Sequence, residues 1–131
     1  MTRETGRLLG IDYGSKRVGV AVSDESRKFA LPVSVIENTP ILMAEVEKLA
    51  AEYGTKTIVL GESKDYKGQP NDIMLDILEF KRSLEAKGYK VCFEPEFMTS
   101  VQAERIQGNN DMSDASAAAI ILQSYLDHAT K

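Results

Sequence analysis

Leu8-Leu9-Gly10-Ile11-Asp12, the turn Tyr13-Gly14-Ser15-Lys16, and Arg17-Val18-Gly19-Val20-Ala21-Val22-Ser23 follow one another near the start of the chain. An apolar run ending on a carboxylate predicts a buried strand over Leu8 to Asp12. Gly14 predicts a tight turn, and the β-branched residues from Arg17 to Ser23 predict a second strand folded back on the first. The hairpin therefore places an acid, Asp12, at the end of a strand whose other residues belong to the core.

Reading outward, Leu31 to Ile36 forms a third strand, with Pro32 marking an edge or a strand start because it has no backbone N–H to give to a ladder. Thr39-Pro40 supplies a helix cap and a first-turn proline, and Ile41, Leu42, Val46, Leu49, Ala50 and Tyr53 recur at helical spacing up to Gly54. Thr57 to Leu60 is a short strand closed by Gly61, and Glu62 to Gln69 is a polar loop. A second helix spans Asn71 to Lys87, amphipathic through Ile73, Leu75, Ile77, Leu78, Phe80 and Leu84 and stopped by Gly88. Val91 to Glu94 is the fifth strand. Thr99-Ser100-Val101-Gln102 has the form of a capping box and opens a short third helix ending near Gly108, and a last helix covers Ser113 to His128. The order predicts an α/β protein: a mixed five-stranded sheet, three antiparallel strands and then parallel ones, with helices on both faces. No repeat, low-complexity tract or linker interrupts residues 1–131, and the expectation is a single domain.

In open α/β sheets ligands gather beyond the carboxyl ends of the strands, and Asp12, Glu62 and Glu96 all follow strand ends on that side. Asp114 joins them from the last helix, where about 100° per residue puts it in line with Ala118, Ile121 and Tyr125, the sheet-facing stripe. Taken singly, Asp12 suits an Asx turn before Gly14, Glu96 a loop carboxylate, and Asp114 the positive end of a helix. Taken together, Asp12, Glu96 and Asp114 are the oxygen donors a Mg²⁺ or Mn²⁺ ion requires, and two such ions serve phosphodiester hydrolysis.

Composition sets bounds. A chain of 131 residues that is 43% hydrophobic buries one core without disulfide or zinc support. Its one cysteine, Cys92, lies in an apolar run and is expected to be a small buried hydrophobe. The formal charge of −4 counts against coating nucleic acid by bulk electrostatics. Residues 1–30 nevertheless hold six bases against four acids, a net +2 that leaves −6 for the remainder. Within that basic segment, Lys16 and Arg17 follow Asp12 and are candidates for phosphate contact. No run approaches the ~20 apolar residues of a membrane span, and a cytoplasmic protein without membrane partners is expected.

The stretch Leu9-Gly10-Ile11-Asp12-Tyr13-Gly14-Ser15-Lys16-Arg17-Val18-Gly19-Val20-Ala21-Val22-Ser23-Asp24 resembles the opening motif of the YqgF/RuvX family of the ribonuclease H-like superfamily. Asp114-Ala115-Ser116-Ala117-Ala118-Ala119-Ile120-Ile121-Leu122-Gln123-Ser124-Tyr125-Leu126-Asp127 resembles its closing motif. Glu96-Phe97-Met98-Thr99-Ser100-Val101-Gln102-Ala103-Glu104 is similar to its middle acidic segment. The resemblance spans essentially the whole chain. It implies a ribonuclease H-like fold in which Asp12, Glu96 and Asp114 bind Mg²⁺ or Mn²⁺ and hydrolyse phosphodiesters, maturing the 5′ end of the small-subunit ribosomal RNA precursor. Lys16, Arg17, Thr99 and Ser100 are then the nucleic-acid-binding candidates. Structured RNA, with ribosome precursor particles as partners, is favoured over branched DNA, and the state expected is a monomer or weak homodimer.

The chain also departs from the family pattern. Pro95-Glu96-Phe97 stands where the family has Asp-Glu-Arg, and Gly61-Glu62-Ser63 where it has Gly-Leu-Pro. Gln107 to Met112 is shortened and lacks basic residues. Glu62 thereby becomes a possible additional acid. Three further readings remain at this point: a Holliday-junction-type DNA resolvase, a noncatalytic nucleic-acid-binding ribosome-assembly module, and an actin-like ATPase. The last needs a second domain to enclose nucleotide. His128 is expected at the surface, Tyr66 in a solvated loop, and Met43, Met74 and Met98 in packing roles.

Overall fold

A computed structural model of the chain describes residues 6–62, 72–95 and 113–129. Its elements are β1 (Leu9–Tyr13), β2 (Arg17–Ser23), β3 (Ala30–Glu37), α1 (Leu42–Glu52), β4 (Thr57–Glu62), α2 (Asp72–Ala86), β5 (Lys90–Pro95) and α3 (Ser113–Ala129). The five strands form one sheet in the order β3-β2-β1-β4-β5. β1 pairs antiparallel with β2, and β2 with β3, while β4 runs parallel to both β1 and β5. This is the mixed sheet that the alternation of elements predicts. The short helix expected between Thr99 and Gly108 lies outside the described residues.

β1, β2 and β4 read as nearly continuous apolar runs because both of their faces are covered. Leu9, Ile11, Val18, Val20, Ile58 and Leu60 face one layer, where α1 contributes Val46 and Ala50 and α2 contributes Ile77, Phe80 and Leu84. Leu8, Ala21 and Val59 face the other, against Ala118, Ile121, Leu122 and Leu126 of α3. Helices thus cover both faces, α1 and α2 on one side and α3 on the other. Met74 is buried in the first layer and Met43 packs against it, in keeping with packing roles.

Three details refine the sequence-based expectations. Pro32 does lie on an edge strand, and the register slips beside it: Val20 pairs with Ser34 and Ala21 with Pro32, leaving Val33 unopposed in a bulge. Thr39-Pro40 precedes α1 without capping it. Ile41 is the N-cap residue and, as an isoleucine, has no side-chain acceptor to cap with; Thr39 instead holds the preceding turn, its carbonyl accepting from Leu42 N–H at 2.9 Å and its Oγ1 from Ile41 N–H at 3.4 Å. Cys92 is half-buried rather than buried, with Tyr125 Oη 3.9 Å from its sulfur. Gly54 and Gly88 end α1 and α2 at φ +66° and +96°, as their positions imply.

Candidate metal centre

Side chains alternate along a strand, so the face of each residue at the carboxyl end of β1 follows from its neighbours. Leu8 packs in the α3 layer, and a Cβ on Gly10 would meet Leu122 of α3. Asp12 therefore emerges on the α3 side. Tyr13 turns the other way, onto Phe80 of α2, with ring centroids 5.1 Å apart. Asp12 is half-buried.

The strands beside Asp12 present glycine at its level. Asp12 pairs with Gly19 of β2. On the other flank Ile11 pairs with Leu60, so the next step brings Asp12 level with Gly61 of β4. Gly61 in turn pairs with Glu94 of β5. Two side-chain-free positions thus flank the Asp12 carboxylate, and one of them separates it from a second acid. Adjacent strands lie about 4.8 Å apart, which puts the Asp12 and Glu94 backbones roughly 10 Å from each other.

Glu94 was not singled out by sequence reasoning. It is 2% exposed, faces α3, and accepts a hydrogen bond from Ser124 Oγ–H at 2.8 Å. The available signal was parity: Glu94 alternates with Cys92, which also meets α3, through Tyr125. Glu62 behaves differently. It is half-buried at the last position of β4, and alternation from Leu60 turns it toward the α1 and α2 layer. Glu62 and Asp12 therefore come from neighbouring strands but opposite faces, and they approach each other only over the end of the sheet.

Asp114 sits in the first turn of α3, the helix that packs on the Asp12 face. Ala118 and Ile121, its partners in the predicted stripe, are buried against the sheet, and Tyr125 packs beside them. For Asp114 itself the backbone is described and the side chain is not. Glu96, Thr99 and Ser100 lie outside the described residues, as do Tyr66, Met98 and the segment Gln107 to Met112; the His128 side chain is likewise not described.

The β1–β2 turn is tightly specified. A Cβ on Gly14 would run into the Arg17 carbonyl oxygen, so only glycine fits there without a shift. Asn38 holds the turn from outside: its Nδ2 donates to the Gly14 carbonyl at 2.8 Å and its backbone N–H to the Lys16 carbonyl at 2.9 Å. Lys16 is exposed in this turn. Arg17 is the first residue of β2 rather than part of the turn, and it pairs in register with Glu37 of β3. Alternation with Gly19 and Ala21 places Arg17 on the Asp12 side of the sheet.

Asp12 offers oxygen donors only, the chemistry a hard divalent cation takes. Among the described residues no three His, Cys, Asp or Glu side chains stand close enough to hold an ion.

Residues 6–128 match the family model RuvX, described as Holliday junction resolvase. The chain belongs to the RuvX family. Among its RuvX-like relatives, a protein of Thiobacillus denitrificans is 37% identical, the alignment covering 93% of this chain and 92% of the relative. One from Agathobacter rectalis is 35% identical over 93% and 95%. Both are provisionally named pre-16S rRNA nucleases. Among solved structures, Thermus thermophilus RuvC in complex with a Holliday junction substrate superposes with a TM-score of 0.62 at 15% identity, over 95% of this chain and 96% of that one. The fowlpox virus resolvase with Holliday junction DNA gives 0.60 at 12%, over 95% and 99%. At such identities the likeness is one of fold, and it is the RuvC-type, ribonuclease H-like fold. No described helix is long and apolar enough to cross a membrane.

Proposed function

We propose that this RuvX-family chain is a divalent-metal-dependent endonuclease that trims the 5′ end of precursor 16S ribosomal RNA. The observation that carries the reading is Asp12. It stands at the carboxyl end of the central strand, flanked by Gly19 and Gly61, on the face covered by the helix that begins at Asp114. Asp12, Glu96 and Asp114 are the residues that would hold Mg²⁺ or Mn²⁺. When bound, such ions supply positive charge that makes water a competent nucleophile and stabilises the departing oxygen of a phosphodiester.

The chain's own residues do the positioning. Three carboxylates on one sheet end repel one another when empty, which favours cation uptake. Glu62, reaching over the end of the sheet, adds negative charge to the same region. Lys16, Arg17, Thr99 and Ser100 contact substrate phosphates, and Asn38 keeps the turn bearing Lys16 in place. The active unit is a single domain of residues 1–131, cytoplasmic, and a monomer or weak homodimer that meets its RNA on ribosome precursor particles.

RNA is favoured over DNA because the relatives at 35% and 37% identity, aligned over nearly their whole lengths, are those provisionally named for precursor rRNA. The family description and the RuvC-type fold support a second reading, cleavage of a four-way DNA junction. The deciding experiment measures Mn²⁺-dependent cleavage of a precursor 16S rRNA fragment and of a four-way junction by wild type and Asp12→Asn. RNA cleavage lost in the variant supports the proposal, and junction cleavage alone supports the second reading. Binding without metal-dependent cleavage of either substrate would leave a noncatalytic module.

A further inference from the structure

Glu94 is a buried acid that the proposed chemistry does not use. At 2% exposure its carboxylate has lost nearly all contact with water, and an apolar side chain of similar size would meet a smaller desolvation penalty at that position. Packing alone therefore gives no reason for a glutamate. Its setting does. Glu94 lies in the row that runs from Asp12 across Gly61, it faces α3, and it accepts the Ser124 Oγ–H bond at 2.8 Å. One turn of side-chain alternation earlier, Cys92 meets Tyr125, the residue after Ser124, so consecutive residues of α3 engage alternate residues of β5. Beyond Glu94 the chain reaches Glu96 in two residues. Ser124 belongs to the helix that begins with Ser113-Asp114.

We infer that Glu94 is a positioning residue for the acidic centre, acting through its hydrogen bond with Ser124 to fix the end of β5 that leads into Glu96 against the helix that carries Asp114. The inference rests on the proposed nuclease reading. Bonds that orient ligand-bearing elements characteristically act on metal affinity and turnover more than on overall stability, which separates this role from simple packing.

The test uses the full chain and two readouts: cleavage kinetics on the substrate that wild type cleaves, and the Mn²⁺ concentration giving half the metal-induced rise in Tm. Ser124→Ala and Glu94→Met are expected to lower kcat about tenfold or more and to raise the Mn²⁺ midpoint similarly, with KM for nucleic acid little changed. Ser124→Thr keeps a hydroxyl and Glu94→Gln keeps an acceptor oxygen, so both are expected close to wild type. Wild-type kcat and Mn²⁺ midpoint in Ser124→Ala would overturn the inference, whether or not Glu94→Met folds. Damage in Glu94→Gln as large as in Glu94→Met would also overturn it, because the carboxylate charge rather than the hydrogen bond would then be at work. Asp12→Asn, measured alongside, separates the two levels. An active Asp12→Asn defeats the nuclease site itself, whereas an inactive Asp12→Asn beside an unaffected Ser124→Ala defeats only the role given to Glu94.

Discussion

Gly10 lets Leu122 of α3 lie directly against β1: a Cβ on Gly10 would stand 2.7 Å from Leu122 Cβ and 3.2 Å from the Ala118 carbonyl oxygen. Neither is the free end of a flexible side chain, so the helix must move if the glycine is replaced. Gly10→Ala is expected to cost about 1–3 kcal/mol through overpacking. Urea denaturation checks this. Because α3 carries Asp114, cleavage by the folded variant should fall as well.

Asp12→Asn, Glu96→Gln and Asp114→Asn should each abolish cleavage while leaving the far-UV circular dichroism spectrum and Tm near wild type. Each amide keeps the shape of its acid and removes one negative charge from a shared cluster. Wild-type rates in all three variants would remove these acids from the chemistry.

Lys16→Ala with Arg17→Ala should weaken nucleic-acid binding and make it less sensitive to salt. On single-stranded RNA each lost phosphate contact lowers the slope of log K against log salt by about 0.7. Arg17 pairs in register with Glu37, so Lys16→Ala alone is expected to account for much of the change. Filter binding in Ca²⁺ across a salt series measures it, and an unchanged slope would take both residues out of the interface.

Glu62→Gln should raise the Mg²⁺ concentration for half-maximal cleavage by a few-fold, on the order expected for one charge acting through partly screened space. Glu79→Gln, on an exposed position of α2, should not. Equal titrations for wild type and Glu62→Gln would confine Glu62 to the strand end.

Asp24 links pH to stability. Its Oδ1 accepts from Phe29 N–H at 3.0 Å and from Lys28 N–H at 2.8 Å, and Ser26 Oγ–H donates to Oδ2. These bonds, the Phe29 one foremost, hold its carboxyl at about 2 against an ordinary 3.8. The unfolded chain therefore takes up the proton first on acidification. The stabilisation is fully present above the ordinary value and is lost as pH falls toward about 2. Asp24→Asn should show a shallower loss of urea midpoint across that window, and a slope equal to wild type would rule out the linkage.

The order of elements was legible in the sequence because both signals are local. Period-2 and period-3.6 patterning located every described strand and helix to within two residues at most ends, and Gly54 and Gly88 marked helix stops that need positive φ. Where local signals competed, tertiary context won. Thr39-Pro40 looks like a cap in sequence, yet it forms its own turn ahead of Ile41. Cys92 sits in an apolar run but on an outer strand, so its burial is only partial.

The sequence by itself determined the α/β class, the strand that carries Asp12 near its end, and the helix beginning around Asp114, because hydrophobic period and turn chemistry depend on neighbours along the chain. Only the tertiary structure decided which residues share a face. Strand pairing sets Gly19 and Gly61 beside Asp12, brings Glu94 into the same row, and turns Glu62 away from it. Register is fixed by contacts between residues tens of positions apart, and a shift of one residue would exchange the two faces. That is why Glu94, an unremarked strand residue in sequence, becomes a buried acid beside the proposed centre once the sheet is assembled.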